Sequence, residues 1–136
     1  DYNKLKFSYD IVDCWWDWGG VMPPAVTEKY GKRCDIITSF EQEFVFSTEK
    51  TYDFIMCDGD HFNTDKWFEH VYANLLNSGG ILVYHDVTME DRPDIFVNLR
   101  DIYHKCKEYG INHKLFDRNS LSDERCWRGL LVIFKD

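Results

Sequence analysis

Residues 52–87 read Y-D-F-I-M-C-D-G-D-H-F-N-T-D-K-W-F-E-H-V-Y-A-N-L-L-N-S-G-G-I-L-V-Y-H-D-V, and the rest of the chain is organised around them. Tyr52–Cys57 is a short, mostly apolar run rich in aromatic and branched residues, the pattern of a strand buried on both faces. It stops at Asp58-Gly59-Asp60-His61, where charge and a flexible glycine arrive together. Asn63 or Thr64 is placed to cap a helix. Trp67, Phe68, Val71, Tyr72, Leu75 and Leu76 recur at helical spacing and give that helix one inward face. Ser78-Gly79-Gly80 is expected to end it, and Ile81–Tyr84 is a second buried strand running into His85-Asp86. Strand, helix and strand on this scale predict a right-handed parallel crossover. The two strands then present Asp58, Asp60, His61, His85 and Asp86 at their carboxyl ends, the edge of an open α/β sheet where ligands bind.

Upstream, Tyr9–Cys14 reads as a short strand with Asp13 near its end. Trp15–Gly20 reads as a loop, because three tryptophans and two glycines suit neither helical nor strand periodicity. Pro23 and Pro24 open a helix that runs to about Tyr30 and stops at Gly31. Cys34–Thr38 is a further strand, followed by a turn at Ser39 and a short helix or loop over Glu41–Thr48. Downstream, Thr88–Arg92 is a loop and Pro93 the first residue of a helix. Its apolar face is Phe96, Leu99, Tyr103 and Cys106, and Gly110 closes it. Asn112–Phe116 and Leu130–Phe134 are two last strands, an antiparallel pair, separated by the polar segment Asp117–Arg128, a candidate lid. The order βαβ(α)βαβαββ describes a single α/β domain over residues 1–136, without repeats or linkers.

The strand ends D-G-D-H at Asp58–His61 and H-D at His85-Asp86, the latter after Gly79-Gly80, resemble the second half of a class I S-adenosylmethionine-dependent methyltransferase. More narrowly, they are similar to the small-molecule O-methyltransferases whose fourth strand ends in D-G-D-H. The resemblance runs from about Tyr9 through nearly the whole chain. It implies a Rossmann-like methyltransferase sheet, mostly parallel with an antiparallel last strand. It also makes Tyr9–Cys14 the family's second strand. The family's first strand ends in a Gly-rich loop whose backbone approaches the cofactor, and no such loop is found here; three indoles do not permit that approach. The N-terminal βα unit is therefore expected to be missing from this chain. The sheet edge so exposed would invite pairing with another chain, which makes a homodimer an expectation.

The resemblance implies S-adenosylmethionine as cofactor and gives roles to particular residues. Asp13 matches the acid that accepts hydrogen bonds from the ribose hydroxyls, a task suited to a carboxylate. Trp15 can lie flat against the adenosine, Ser39 and Phe40 match the place where the family touches the adenine, and Asp58 faces the methyl-transfer region. In metal-using relatives the carboxylate matching Asp58 is a cation ligand, with Asp86 its partner and His85 a third ligand or a support. Paired carboxylates suit Mg²⁺, and an added imidazole leans toward Mn²⁺, Fe²⁺ or Zn²⁺. Catechol-methylating relatives end this strand in Asp-Asn, whereas many sugar-methylating relatives carry H-D, sometimes without a metal. A neutral imidazole takes a proton readily near neutral pH, so His61 is the candidate general base, with Asp60 to orient it or to act itself. Each residue also has a plainer role: Asp13 caps a loop, Trp15 belongs to the core, His61 caps a helix, and His85 and Asp86 brace each other.

Bulk composition narrows the function classes. With 136 residues, 44% hydrophobic and 17% aromatic, the chain buries a substantial core and fits one domain. A net charge of −8 argues against nucleic-acid binding, which needs a basic face, and favours a neutral or cationic small acceptor. Five cysteines without a C-x-x-C pair point to a reducing compartment, the cytoplasm, rather than to a disulfide or zinc framework. No apolar run approaches the ~20 residues that span a bilayer. The expected function is an S-adenosylmethionine-dependent O-methyltransferase acting on a hydroxylated small molecule or sugar, with divalent-metal assistance (Mg²⁺ or Mn²⁺) as an option. The alternatives are a non-catalytic methyltransferase-like domain or fragment and, less favoured, another metal-dependent reaction such as hydroxylation.

Overall fold

The computed structural model describes residues 7–31, 34–88, 93–117 and 128–136. Its contacts fall into two compact units, Asp1–Ser47 and Thr48–Asp136. In the first, β1 (Asp10–Asp13) pairs in parallel with β2 (Asp35–Thr38), from Asp10 opposite Asp35 to Asp13 opposite Thr38. Between them runs α1 (Pro24–Tyr30), entered through Pro23 and Pro24 as the prolines predict. After β2 comes α2 (Glu41–Ser47), which buries Val45.

The second unit holds a four-stranded sheet. β3 (Tyr52–Cys57) and β4 (Leu76–His85) run parallel, and β5 (His113–Phe116) and β6 (Leu130–Phe134) complete the order β3-β4-β6-β5. β6 is antiparallel to both β4 and β5, the antiparallel last strand that the sequence predicts. The core draws Leu82, Leu131 and Ile133 from the strands and Leu99, Ile102 and Cys106 from α4 (Pro93–Glu108), all buried. Gly110, at φ 65°, ends α4 in the left-handed conformation, and Ile111 N–H donates to the Cys106 carbonyl at 2.9 Å, the closure expected of a C-terminal glycine.

Four local expectations are corrected. β3 is not buried on both faces: it is an edge strand of its sheet, and Phe54 and Met56, two residues apart and so on one face, are exposed. The crossover helix is not regular either. It consists of a 3₁₀ turn (Thr64–Lys66), one turn of α-helix, α3 (Phe68–His70), and a π turn (Val71–Leu75). Nor does Asn63 cap it with its side chain, whose amide donates to Asp60 instead. Finally, the helix ends at Leu75, before the Ser78-Gly79-Gly80 stop. Leu76 is already extended and pairs with Tyr52, and the glycines lie within a register shift before Ile81 joins Phe54. Lys135 secures the helix end, donating from Nζ to the carbonyls of Tyr72, Ala73 and Leu76 at 2.7, 2.9 and 2.7 Å. The proposed lid falls largely outside the described residues, as does most of the Thr88–Arg92 loop. No helix of the described residues is long and apolar enough to cross a membrane.

Candidate active site

In the first unit, the chain leaves β1 through a tightly bonded corner. Asp13 Oδ1 accepts the Trp15 N–H at 2.7 Å, which holds Trp15 at φ 55° in the left-handed region. A tryptophan there is strained, and the corner compensates: Gly20 N–H donates to the Trp15 carbonyl at 2.9 Å, and the indole N–H donates to Thr38 Oγ1 at 3.1 Å. Gly19 and Gly20, both at positive φ, complete the turn. A cleft of about 550 Å³ opens beside it, lined among others by Cys14, Trp16, Gly20, Ser39, Phe40 and Glu43.

The expected cofactor residues divide here. Ser39 and Phe40 line this cleft and Trp16 joins them, whereas Trp15 is buried and is not on the lining. Adjacent tryptophans look alike in sequence. Which indole turns inward is settled by the left-handed corner and by Thr38, and neither is legible before the fold is known. Asp13 is exposed and has one carboxylate oxygen engaged by Trp15 N–H.

In the second unit, the ends of β3 and β4 bring four side chains together. His61 Nε2 lies 3.7 Å from Asp58 Oδ1 and 3.3 Å from Asp86 Oδ2. His85 Nδ1 lies 2.9 Å from Asp58 Oδ1 and 3.0 Å from Asp86 Oδ1. The cluster grades from exposed to buried, with Asp58 in solvent and Asp86 at 4% exposure. Asp86 also has φ 62°, a left-handed conformation that the two residues leading into β6 hold: Asp86 N–H donates to the Gly129 carbonyl and Thr88 N–H to that of Arg128, at 3.1 and 3.0 Å. Arg128, absent from the residues singled out in the sequence, places Nη1 3.4 Å from Asp86 Oδ2. It stands two residues before Leu130, the β6 residue opposite His85, a pairing that the sequence does not announce.

Asp60 does not join the cluster. Its Oδ1 accepts the Phe62 N–H at 3.1 Å, and its two oxygens accept the Asn63 amide at 3.2 and 2.9 Å. Its carbonyl receives Thr64 N–H. The carboxylate thus braces its own loop, which presents His61 to Asp58 and Asp86. Asp58, His61 and Asp86 can each offer one ligand atom, all within 4.8 Å of one another, a group able to hold a metal ion. The donor chemistry fits a divalent cation: two carboxylates and one imidazole leave positions open for other oxygens.

Among solved structures, the chain is similar to an O-methyltransferase from Bacillus cereus in complex with SAH, at TM-score 0.65 and 14% identity over 94% of this chain and 74% of that one. It is also similar to the O-methyltransferase TomG from Streptomyces achromogenes, involved in tomaymycin synthesis and solved with SAM, at TM-score 0.64 and 11% identity over 95% and 73% of the two chains. A methyltransferase from Podospora anserina bound to SAH aligns at TM-score 0.65 and 16% identity over 95% and 72%. No protein-family profile and no curated protein sequence matches the chain. The fold is that of the class I S-adenosylmethionine-dependent O-methyltransferases, Rossmann-like, with parallel strands and one antiparallel strand.

Proposed function

We propose that this chain is an S-adenosylmethionine-dependent O-methyltransferase acting on a hydroxylated small molecule or sugar. The observation that carries the proposal is the convergence of Asp58, His61 and Asp86 at the carboxyl ends of two parallel strands in a methyltransferase fold. The acceptor oxygen attacks the sulfonium methyl carbon as the carbon–sulfur bond breaks, giving the methyl ether and S-adenosylhomocysteine. The acceptor hydroxyl loses one proton, and the cluster is where it leaves. Most of the rate advantage comes from holding acceptor and methyl group in line. Cofactor binding is assigned to the first unit, with Asp13 toward the ribose and Ser39 and Phe40 toward the adenine; Trp16 replaces Trp15 as the stacking indole, because it lines the cleft. A cation at the cluster, when bound, would acidify the hydroxyl and orient it. Among the described residues, Cys14, Cys34, Cys57 and Cys106 form no disulfide, which suits the reducing cytoplasm.

The test is transfer of labelled methyl from S-adenosylmethionine to a panel of catechols, phenols and sugars. An O-methylated product formed together with S-adenosylhomocysteine supports the proposal. Cofactor binding without transfer to any acceptor class favours the rival reading, a non-catalytic domain. That rival draws on the W-W-D-W corner, which stands where a Gly-rich approach to the cofactor would be needed if β1 were the family's first strand.

A further inference from the structure

Arg128 enters the strand-end cluster from the two residues that lead into β6. Main chain fixes its place there, since its carbonyl accepts the Thr88 N–H at 3.0 Å. Its Nη1 lies 3.4 Å from Asp86 Oδ2, the same oxygen that His61 Nε2 faces at 3.3 Å. Arg128 and the candidate base therefore converge on one atom. The plain role for such an arginine is to neutralise a buried carboxylate, and the geometry does not fit it. A committed arginine–carboxylate pair is bidentate, with bonds of about 2.7–2.9 Å. Here one nitrogen makes one long contact, and Asp86 Oδ1 is buried without a hydrogen-bond partner. The Arg128 side chain stays 58% exposed, so it reaches solvent beside the cluster with donors to spare.

We propose that Arg128 is a specificity-determining residue of the acceptor site, and that the acceptor carries a carboxylate as well as the hydroxyl to be methylated. A planar fork of N–H donors matches a carboxylate, and an arginine keeps its charge at every working pH. With Nη1 turned to Asp86, the rest of the fork takes the acceptor's carboxylate and anchors that end of the molecule, while its hydroxyl lies toward His61. The neighbouring acids set a limit. Asp58 and Asp86 repel an anion, but Asp58 lies in solvent, where the repulsion is screened. Asp86 is faced by Arg128 and by both imidazoles. A singly charged carboxylate meets this field more easily than a phosphate dianion. The acceptor's charge is thus contrary to what the net charge of −8 suggests. A site answers to the groups within a Debye length of about 8–10 Å, not to the whole surface. That the strand ends take an acceptor at all rests on the proposed reaction.

The test is calorimetric titration of the whole chain, with and without S-adenosylhomocysteine, using pairs matched except for the acid: protocatechuate against its methyl ester, and glucuronate against glucose. In at least one pair the acid is expected to bind at least about tenfold tighter, the size of one hydrogen-bonded contact to a charged group. Arg128→Gln should bring that pair to near parity by weakening the acid alone. Arg128→Lys should restore part of the preference, as a charge without the fork. A purely structural Arg128 would instead weaken acid and neutral partner together. That result, parity in the parent chain, or no binding of either acid would overturn the inference. Circular dichroism establishes that each variant is folded, and Arg128→Met replaces Arg128→Gln if that variant is not. Methyl transfer from labelled S-adenosylmethionine, followed in parallel, separates the two claims. Transfer to a neutral acceptor with no preference for the acid removes the inference and leaves the methyltransferase proposal standing. An acid preference that depends on Arg128, without transfer to any acceptor, leaves the carboxylate site and removes the reaction.

Discussion

Asp86 concentrates three costs in one residue: a left-handed backbone, near-complete burial and an oxygen without a hydrogen-bond donor. Residues held this way cluster at functional sites, where the surrounding structure over-determines them. Asp86→Asn keeps the shape and removes the charge. Turnover is expected to fall at least about 100-fold, consistent with loss of a preorganised charge at the reacting centre. The unfolding free energy from urea denaturation should change by no more than about 1 kcal/mol, because the charge is poorly compensated in the fold. Turnover near that of the parent would contradict the assignment. At this scale the sequence was informative about position and silent about atoms. Asp58, His61, His85 and Asp86 stand out as charges closing apolar runs, but nothing in D-G-D-H says that Asp60 turns back to its own loop while His61 reaches the strand ends.

Elements were legible wherever a local rule acts alone. The two prolines start α1, Gly110 ends α4, and the continuous apolar runs fall in β4 and β6. They were misjudged where tertiary pairing overrides the local signal. Leu76 continues the helical spacing, yet it pairs with Tyr52 and so joins the strand; the π turn before it absorbs the mismatch. The β4–β6 junction gives the sharpest test of such pairing. At Gly129, φ is 69° and an added Cβ would lie 2.3 Å from Thr88 Oγ1. Gly129→Ala should destabilise by about 1–3 kcal/mol, from overpacking and the left-handed backbone together. Thr88→Ala in that background should recover the steric share only. Denaturant unfolding measures both, and a neutral Gly129→Ala would refute the packing. α4 carries a pH signature as well. Burial pushes the Cys106 thiol from 9.0 up to about 11, so the unfolded chain loses this proton first. Its contribution is full below about pH 9 and is lost as pH rises through 11. The fall in melting temperature between pH 8 and pH 10.5 should therefore be smaller in Cys106→Ala than in the parent, and equal falls would contradict it.

For the whole molecule, the class of fold followed from one strand–helix–strand stretch, because a series of this size forms a right-handed parallel crossover. The division into two units did not follow, since it depends on which strands pair rather than on how each one reads. Similarity to solved O-methyltransferases at 11–16% identity carries the architecture and leaves cofactor binding to direct measurement. The most direct is calorimetric titration of S-adenosylhomocysteine into the chain, with Asp13→Ala alongside. The account predicts saturable one-to-one binding, weakened at least about tenfold in Asp13→Ala through loss of a charge-assisted hydrogen-bond acceptor. Absence of binding to the folded chain, with and without a divalent ion, would contradict it.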